Sequence, residues 1–217
     1  MLNLDKEKLA LLSWLYKNDQ RSYQNTRKVQ KFLFFYEIFS KIVGESYELG
    51  NFKIWLHGPV DSYVYGDYTY RQPELIRAIE SNKTHESVQE EIAKKADFLV
   101  QILNTEEISN LTHEFDLWKT PAASFEHYEQ KNISLNEKHF SHTDELMAEE
   151  LFAMYDEKMI ENSTVIHTFG KHFVLTNDDA NNLTEDQQSI LDGLSFDENL
   201  QNPVFVEIDE DGALIID

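Results

Sequence analysis

The sequence predicts a mainly α-helical domain with one small β element, followed by an acidic ββαββ extension, which makes the fold α+β overall. Two observations carry this prediction. Apolar residues recur at helical spacing through most of residues 4–158. Residues 163–217 instead contain two pairs of short β-rich runs, each pair divided by a glycine turn. We therefore expect two domains, a helical domain over residues 1–160 and an acidic extension over residues 161–217.

Helices with wide apolar faces fill the first part of the chain. Leucines at a spacing of three and four predict a first helix over residues 4–16. The segment 26–43 is apolar on nearly all sides, which is typical of a central helix packed on several faces, and Gly44 is expected to end it. Further helices are predicted over residues 74–81, 86–103, 105–118 and 144–158.

The stretch 52–60 combines a short strand with a rigid turn. Large apolar residues alternate in its first half, whereas Gly58 tolerates a positive φ and Pro59 fixes its own φ. Helical spacing resumes directly afterwards, so we expect a strand-to-helix corner with its tryptophan in the core. The alternative interpretation is a recognition edge that presents the imidazole and the tyrosines of this corner, namely His57, Tyr63 and Tyr65.

The last part of the chain has the pattern of two hairpins around a helix. The first hairpin is predicted over residues 164–169 and 171–176, with Gly170 in its turn. The second is predicted over residues 203–208 and 213–216, with an Asp-Gly turn between them. A capped helix over residues 183–191 lies between the hairpins.

Charge is distributed very unevenly along the chain. Residues 1–100 hold 14 acidic and 14 basic side chains, whereas residues 101–217 hold 26 acidic and 5 basic ones, so the second half carries the whole net charge of −21. This excess argues against binding of nucleic acid or of an anionic membrane through the second half, because phosphate attraction drives both. It favours a basic protein partner, with a merely solvated acidic face as the alternative.

The composition limits which catalytic chemistry and which cellular compartment we expect for the chain. The chain has no cysteine, and its first residues lack the pattern of a secretory signal, so we expect a cytoplasmic protein without disulfides. No glycine-rich phosphate loop, zinc-binding His-Glu-x-x-His helix or Gly-x-Ser-x-Gly elbow is present. We therefore expect no catalytic residues and no cofactor.

Histidines are the remaining candidates for chemistry. Metal ligation is conceivable for His139 with His142, and for His167 with His172, but surface histidines without such a role are commoner, so we expect no metal site. His113 is interpreted as a packing histidine that hydrogen-bonds a backbone carbonyl, with a functional role as the alternative.

Four ordered features carry a resemblance to a known family. They are the helix segment Lys28-Val29-Gln30-Lys31-Phe32-Leu33-Phe34-Phe35; the turn Phe52-x-x-Trp55-x-x-Gly58-Pro59-Val60 with Val64-Tyr65 after it; Leu111-Thr112-His113 with Trp118 downstream; and Ile133-x-x-x-Glu137-x-x-Phe140. Together they resemble the Panacea domain, the SocA-like antitoxin family of bacterial and phage genomes, over residues 5–142. The last feature resembles the closing helix of that family. The chain departs from the family pattern at Leu56-His57, where a basic-aromatic pair is usual, and residues 159–217 lie outside the resemblance.

The resemblance implies a mostly helical fold and a non-catalytic activity, in which the protein binds and neutralises a protein toxin encoded beside it. An aromatic platform would supply the shared contact surface, and the acidic extension would select and steer a small, basic toxin. Neither nucleic acid nor a membrane is expected as a direct partner. The candidate partner-binding residues are Trp55, His57, Gly58, Pro59, Val60, Tyr63, Tyr65, Thr112, His113, Trp118, Asp209, Glu210 and Asp211.

Two other function classes compete with this hypothesis. The acidic half could mimic duplex DNA and block a nucleic-acid-binding host protein, as a phage or mobile-element counter-defence protein does; this requires carboxylates spaced like duplex phosphates. A hydrolase that uses His113 with an acidic neighbour is the third class, and it requires the imidazole to face a concave pocket.

Overall fold

The computed structural model describes residues 1–82, 87–123 and 133–216. Within these ranges the fold is mainly α and α+β overall, as predicted, with a two-stranded and a four-stranded sheet. The chain forms two compact units. The helical unit comprises Met1–Val100 and Thr105–Tyr155, and the acidic unit comprises Gln101–Asn104 and Asp156–Asp217. No helix in the described ranges is long and apolar enough to cross a lipid bilayer.

The helices of the helical unit follow the predicted order, with shifted ends. They are α1 (Lys6–Asn18), α2 (Gln20–Tyr23), α3 (Thr26–Val43), α4 (Ser62–Tyr70), α5 (Gln72–Ser81), α6 (Glu90–Ile102), α7 (Thr105–His113), α8 (Asp116–Ala122) and α9 (His142–Met154). The predicted start of the sixth helix, Glu86, lies outside the described residues.

Helix α3 is the centre of this unit, as its all-round apolar pattern predicts. Its phenylalanines at positions 32, 34, 35 and 39 are fully buried. The Asn25 side chain accepts hydrogen bonds from the backbone N–H groups of Arg27 and Lys28 at the start of the helix. Gly44 ends the helix with φ +82°, which confirms the predicted glycine cap.

The stretch 52–60 is a β-hairpin, so the predicted strand-to-helix corner is wrong in its second half. β1 (Phe52–Trp55) pairs antiparallel with β2 (Gly58–Asp61), and α4 begins only at Ser62. The carboxylate of Asp61 starts this helix because it accepts hydrogen bonds from the first N–H groups of α4. Pro59 is tolerated inside β2 because the strand has a single partner and needs no N–H on its other edge.

The predicted helix over residues 105–118 is interrupted. Phe115 has extended backbone angles and buries its ring against Phe34, with the ring centroids 5.6 Å apart. The carboxylate of Asp144 accepts hydrogen bonds from the N–H groups of Asp116 and Leu117, which allows a new helix to begin there. This burial and this cap separate α7 from α8.

The segment expected to form the closing helix is mostly extended, so this prediction is also wrong. The carbonyl of Ile133 accepts from the N–H of Ile54, and the N–H of Leu135 donates to the carbonyl of Phe52, at 2.9 and 2.8 Å. Only Glu137–His139 form a helical turn, of the 3-10 type. The free edge of β1 therefore takes this segment as a partner, because unpaired strand groups are satisfied in that way.

The acidic unit contains a four-stranded sheet of order β3-β4-β5-β6. Both predicted hairpins are confirmed as antiparallel pairs, and a parallel pairing of β4 with β5 joins them. Two helices rather than one connect the hairpins, and a core of buried residues centred on Phe173 and Leu191 lies in this unit. The elements are α10 (Glu157–Glu161), β3 (Ser163–Thr168), β4 (Lys171–Thr176), α11 (Asn177–Asn182), α12 (Glu185–Leu194), β5 (Val204–Ile208) and β6 (Leu214–Ile216). The predicted helix over residues 144–158 is thus divided into α9 and α10.

Candidate functional site

Most of the predicted site residues of the helical unit meet around the β1–β2 hairpin. Trp55 contacts Tyr65 edge-to-face, with ring centroids 4.7 Å apart. The indole N–H of Trp118 donates to the carbonyl of Trp55 at 3.3 Å, and the ring of His113 stacks on Trp118 at 3.8 Å between centroids. Residues that are up to 63 positions apart in sequence thus form one aromatic cluster.

Gly58 lies where the hairpin approaches both α3 and α7. Its φ is +93°, and a Cβ atom at this position would collide with the side-chain ends of Lys31 and Thr112. The Nζ of Lys31 donates to the carbonyl of His57 at 2.5 Å and lies 3.5 Å from the carbonyl of Pro59. A glycine is therefore required here twice, by the backbone angle and by the close approach.

Burial shapes the electrostatics of the cluster. Lys31 is fully buried, and desolvation, together with the neighbouring charge of Arg27, lowers its pKa well below the usual range. Desolvation followed by the charges of Lys31 and His57 lowers the pKa of His113 to about 4. Desolvation, Arg27 and Lys31 also lower the pKa of the exposed His57. The cluster therefore holds basic side chains, Lys31, His57 and His113, whose charged forms are disfavoured by burial and by neighbouring charges.

His113 is a packing histidine, as predicted, but within the described ranges its Nε2 does not make the predicted hydrogen bond. Its Nε2 is buried without a hydrogen-bond partner among the described residues, so the expected bond from this nitrogen to a backbone carbonyl is absent. The imidazole packs flat on Trp118 instead. Thr112 beside it is buried, and its hydroxyl donates to the carbonyl of Ser109 at 2.7 Å. Both side chains therefore support the hairpin from α7.

A cavity of about 320 Å³ opens between the first turns of α3 and the hairpin. Three of its lining residues, Arg27, Gln30 and Lys31, come from α3, and sequence reasoning missed them as site residues. Their spacing of three and four on one helix face was the only sequence signal for them. The full lining is Thr26, Arg27, Gln30, Lys31, Trp55, Leu56, His57, Val60 and Tyr65.

The turn of the hairpin and the adjoining helix form the exposed rim of the site. Leu56 and His57, the two residues that depart from the family pattern, form the turn itself. Leu56 is 43% exposed and Tyr63 is 51% exposed, whereas Pro59 and Val60 are buried. Of the predicted contact residues in this stretch, His57 and Tyr63 are thus exposed.

The predicted acidic residues lie apart in sequence, on the tight turn between β5 and β6. Asp209, Glu210 and Asp211 are all exposed. The carboxylate of Asp209 accepts hydrogen bonds from the N–H groups of Asp211 and Ala213, so it shapes the turn.

Sequence reasoning also missed an exposed aromatic pair in the acidic unit. Phe169 and Phe196 are 75% and 67% exposed, and their ring centroids lie 4.9 Å apart. Phe169 stands beside Gly170 in the β3–β4 turn and has a φ of +49°. A phenylalanine at the place where hairpin turns prefer asparagine was the available signal.

Neither predicted histidine pair belongs to a group of three or more potential ligands that could hold a metal ion in the described ranges. The rings of His167 and His172 are 4.2 Å apart, and the Nδ1 of His172 lies 2.5 Å from the carbonyl oxygen of Gln101. The Nδ1 of His142 lies 3.2 Å from the carboxylate of Glu145. The imidazole of His172 is thus paired with a backbone carbonyl, and that of His142 with a carboxylate.

The fold and the sites together define a mainly α protein of two units, with a hairpin-centred aromatic cluster in one and an exposed aromatic pair in the other. No protein-family model, curated protein or solved structure matches the chain.

Proposed function

We propose that this chain is a non-catalytic, antitoxin-type protein of the cytoplasm, which binds and neutralises a small, basic protein toxin. The observation that carries the proposal is the exposed pair of Phe169 and Phe196 on the acidic unit. Large aromatic side chains dominate the energetics of protein interfaces, and two of them in contact form a surface that water solvates poorly.

The backbone at Phe169 supports a role in binding rather than in folding. A bulky residue at a φ of +49° is uncommon, because its Cβ crowds the following carbonyl. Asparagine or glycine would fit this turn with less strain. The side chain contributes little to the core, since three quarters of it is exposed. Strain retained for an exposed ring is the pattern of a binding residue.

Charge around the pair favours a basic partner. Asp197 and Glu198 follow Phe196 directly, and Lys171 is the only lysine or arginine between residues 159 and 217. The N–H and side-chain amide of Asn199 lower the pKa of Asp197, so this carboxylate stays ionised. An aromatic anchor rimmed by carboxylates fits a cationic surface with an apolar pocket, and the acidic field would raise the association rate.

The hairpin rim of the helical unit is the second contact surface in this proposal. Leu56, His57 and Tyr63 are exposed there on a rigid support, because Lys31 and Trp118 tie the hairpin to α3 and α8. A prearranged rim loses little conformational entropy on binding. This surface would make contacts shared between different partners, whereas the acidic unit would select among them.

The DNA-mimic alternative is less well supported by the acidic turn. A mimic needs carboxylates in a row with the regular spacing of duplex phosphates. Asp209, Glu210 and Asp211 are consecutive residues in a single tight turn that closes with a hydrogen bond between the N–H of Gly212 and the carbonyl of Asp209. Such a turn concentrates charge instead of spacing it along a track.

Co-expression tests the proposal directly. A candidate toxin, chosen as a small basic protein from a reading frame adjacent to the gene of this chain, is expressed alone and with the chain, and growth is followed. Binding of the purified pair is measured at low and high salt. We expect growth arrest that this chain relieves, and an affinity that falls as salt rises. Displacement of the bound protein by duplex DNA would favour the mimic instead.

Two variants with a matched control locate the contact. Phe196→Ala and Phe169→Asn should each weaken binding about tenfold or more, because each removes an anchor ring. Ile190→Ala removes a half-exposed apolar side chain from the same unit and should leave the affinity within about twofold. Equal affinities for all three variants would contradict the proposed contact.

A further inference from the structure

The cavity beside the hairpin has a chemistry that partner binding at the rim does not require. Its floor is α3, which contributes Arg27, Gln30 and Lys31, and its wall is the aromatic and apolar side of the hairpin with Tyr65 of α4. All of these residues belong to the helical unit. The cavity is therefore a site with its own donors.

One buried hydrogen-bond donor of the cavity, on Gln30, lacks a protein acceptor among the described residues. Gln30 is only 2% exposed; its Oε1 accepts from the N–H of Asp61, but its Nε2 has no hydrogen-bond partner among the described residues. Arg27 forms no salt bridge within the described ranges, although the chain as a whole is strongly acidic. A buried amide donor without an acceptor destabilises the protein, and an acceptor supplied by a ligand would remove that cost.

Three basic side chains meet at the same place. Arg27 and Lys31 lie one helix turn apart on α3, and His57 lines the same cavity from the turn of the hairpin. Besides desolvation, the charge of Arg27 lowers the pKa of Lys31, and the charges of Arg27 and Lys31 lower the pKa of His57. An anion among them would relieve this repulsion, and the start of α3 adds the positive end of its helix dipole.

The rest of the wall indicates what the anion is attached to. Trp55 and Tyr65 present aromatic surface to the cavity, and Leu56 and Val60 present apolar surface. A volume of about 320 Å³ falls within the range of small-molecule sites and exceeds what a single oxyanion occupies. A ring that packs on the aromatic wall would fill the remaining space.

We propose that this cavity binds a small anionic molecule in which an oxyanion is joined to a planar ring. Arg27 and the Nε2 of Gln30 bind the oxyanion, and Trp55 with Tyr65 contacts the ring. Nucleoside monophosphates and aromatic carboxylates share this chemistry. The inference is independent of the toxin-binding proposal, which rests on the exposed rim and on the acidic unit.

Calorimetric titration of the full-length protein tests the proposal with four probes: AMP, adenosine, indole-3-acetate and inorganic phosphate. We expect AMP to bind and adenosine to bind at least about tenfold more weakly, because it lacks the oxyanion. If indole-3-acetate binds as well as AMP does, the site accepts a carboxylate as its oxyanion, which also supports the proposal. Competition by inorganic phosphate against AMP supports it further.

Two variants and a matched control connect binding to the cavity. Arg27→Gln should weaken AMP binding about tenfold or more, since it removes a charged donor. Gln30→Glu keeps the acceptor for Asp61 but replaces the free N–H group with a negative charge, and should abolish binding. Arg77→Gln removes an exposed arginine on α5, outside the cavity lining, and should have no effect.

Three results would overturn the proposal. They are no detectable binding of AMP or indole-3-acetate at millimolar concentration, equal binding of AMP and adenosine, and equal weakening by Arg27→Gln and Arg77→Gln. Toxin neutralisation measured with the same variants keeps this test separate from the proposed function.

Discussion

At the scale of single residues, Gly58 determines how closely the hairpin can approach the helices. Two separate penalties act there, one from a φ of +93° and one from the side-chain ends of Lys31 and Thr112. Gly44 has a similar φ of +82° but open space around it. The two glycines therefore allow the backbone penalty and the steric penalty to be measured separately.

We expect Gly58→Ala to lower the free energy of unfolding by about 2–4 kcal/mol, since it adds a steric collision to the cost of a positive φ. Gly44→Ala should cost only about 1–2 kcal/mol, because the backbone penalty acts alone. Urea denaturation of both variants measures the difference. Equal losses would mean that Lys31 and Thr112 move aside without cost.

Lys31 should make stability depend on pH in the alkaline range. Its folded-state pKa lies well below 10.5, so the unfolded chain binds more protons there, and the free energy of unfolding rises with pH until the unfolded lysine has also deprotonated. This stability is complete above the unfolded pKa and is lost as the pH falls towards the folded one.

The variant Lys31→Met isolates this contribution. Between pH 8 and pH 9.5 the wild-type protein should gain up to about 1.4 kcal/mol per pH unit more than the variant does. Lys28, whose pKa is lowered to about 8 mainly by desolvation, is present in both proteins and cancels in the comparison. Urea denaturation across this range measures the slopes, and parallel slopes would show that Lys31 keeps its ordinary pKa.

At the scale of elements, the β3–β4 turn combines strain with exposure. Phe169 and Gly170 both have positive φ, as the two central residues of a type I′ turn do. Asparagine tolerates this conformation much better than phenylalanine. The phenylalanine thus lowers the stability of the hairpin while it presents a ring at the surface.

Phe169→Asn should therefore stabilise the protein by about 1 kcal/mol while it weakens binding to the partner. Hydrogen exchange of the β3 and β4 amides measures the first effect, and the affinity measurement above measures the second. Phe196→Ala is the control, because it removes the neighbouring ring without relieving the turn and should give no stabilisation. Loss of stability in Phe169→Asn would mean that the ring serves the fold instead.

The extent to which the sequence predicts this fold depends on how local each signal is. The cap at Gly44 and both C-terminal hairpins involve neighbouring residues, and they are confirmed. The helix break at Phe115 depends on a carboxylate 28 residues further along the chain, so the periodicity of residues 105–118 could not reveal it. The same reason explains why residues 133–135 were predicted as helix, since their partner is β1.

The candidate site was predicted to a similar degree. The aromatic motif residues do meet, as predicted. Helix α3, which forms the floor of the cavity, contacts the hairpin through residues 26 to 28 positions apart in sequence, so no local pattern reveals that contact. Phe169 is exposed because it lies in a turn with positive φ. Phenylalanine rarely adopts this φ, so the residue type offered no reason to place it in the turn.

At the scale of the whole molecule, the division into two compact units has a direct consequence for stability. Each unit has buried residues of its own, centred on α3 in the helical unit and on Phe173 and Leu191 in the acidic unit.

We expect a fragment of residues 1–155 to unfold cooperatively, because it retains the helical core. It should relieve toxin-induced growth arrest poorly, since it lacks the Phe169–Phe196 pair. Thermal unfolding followed by circular dichroism, together with AMP titration of the fragment, measures both the fold and the cavity. A fragment without a cooperative transition would show that the helical unit depends on residues 156–217, whereas a folded fragment that neutralises the toxin fully would place partner selection outside the acidic unit.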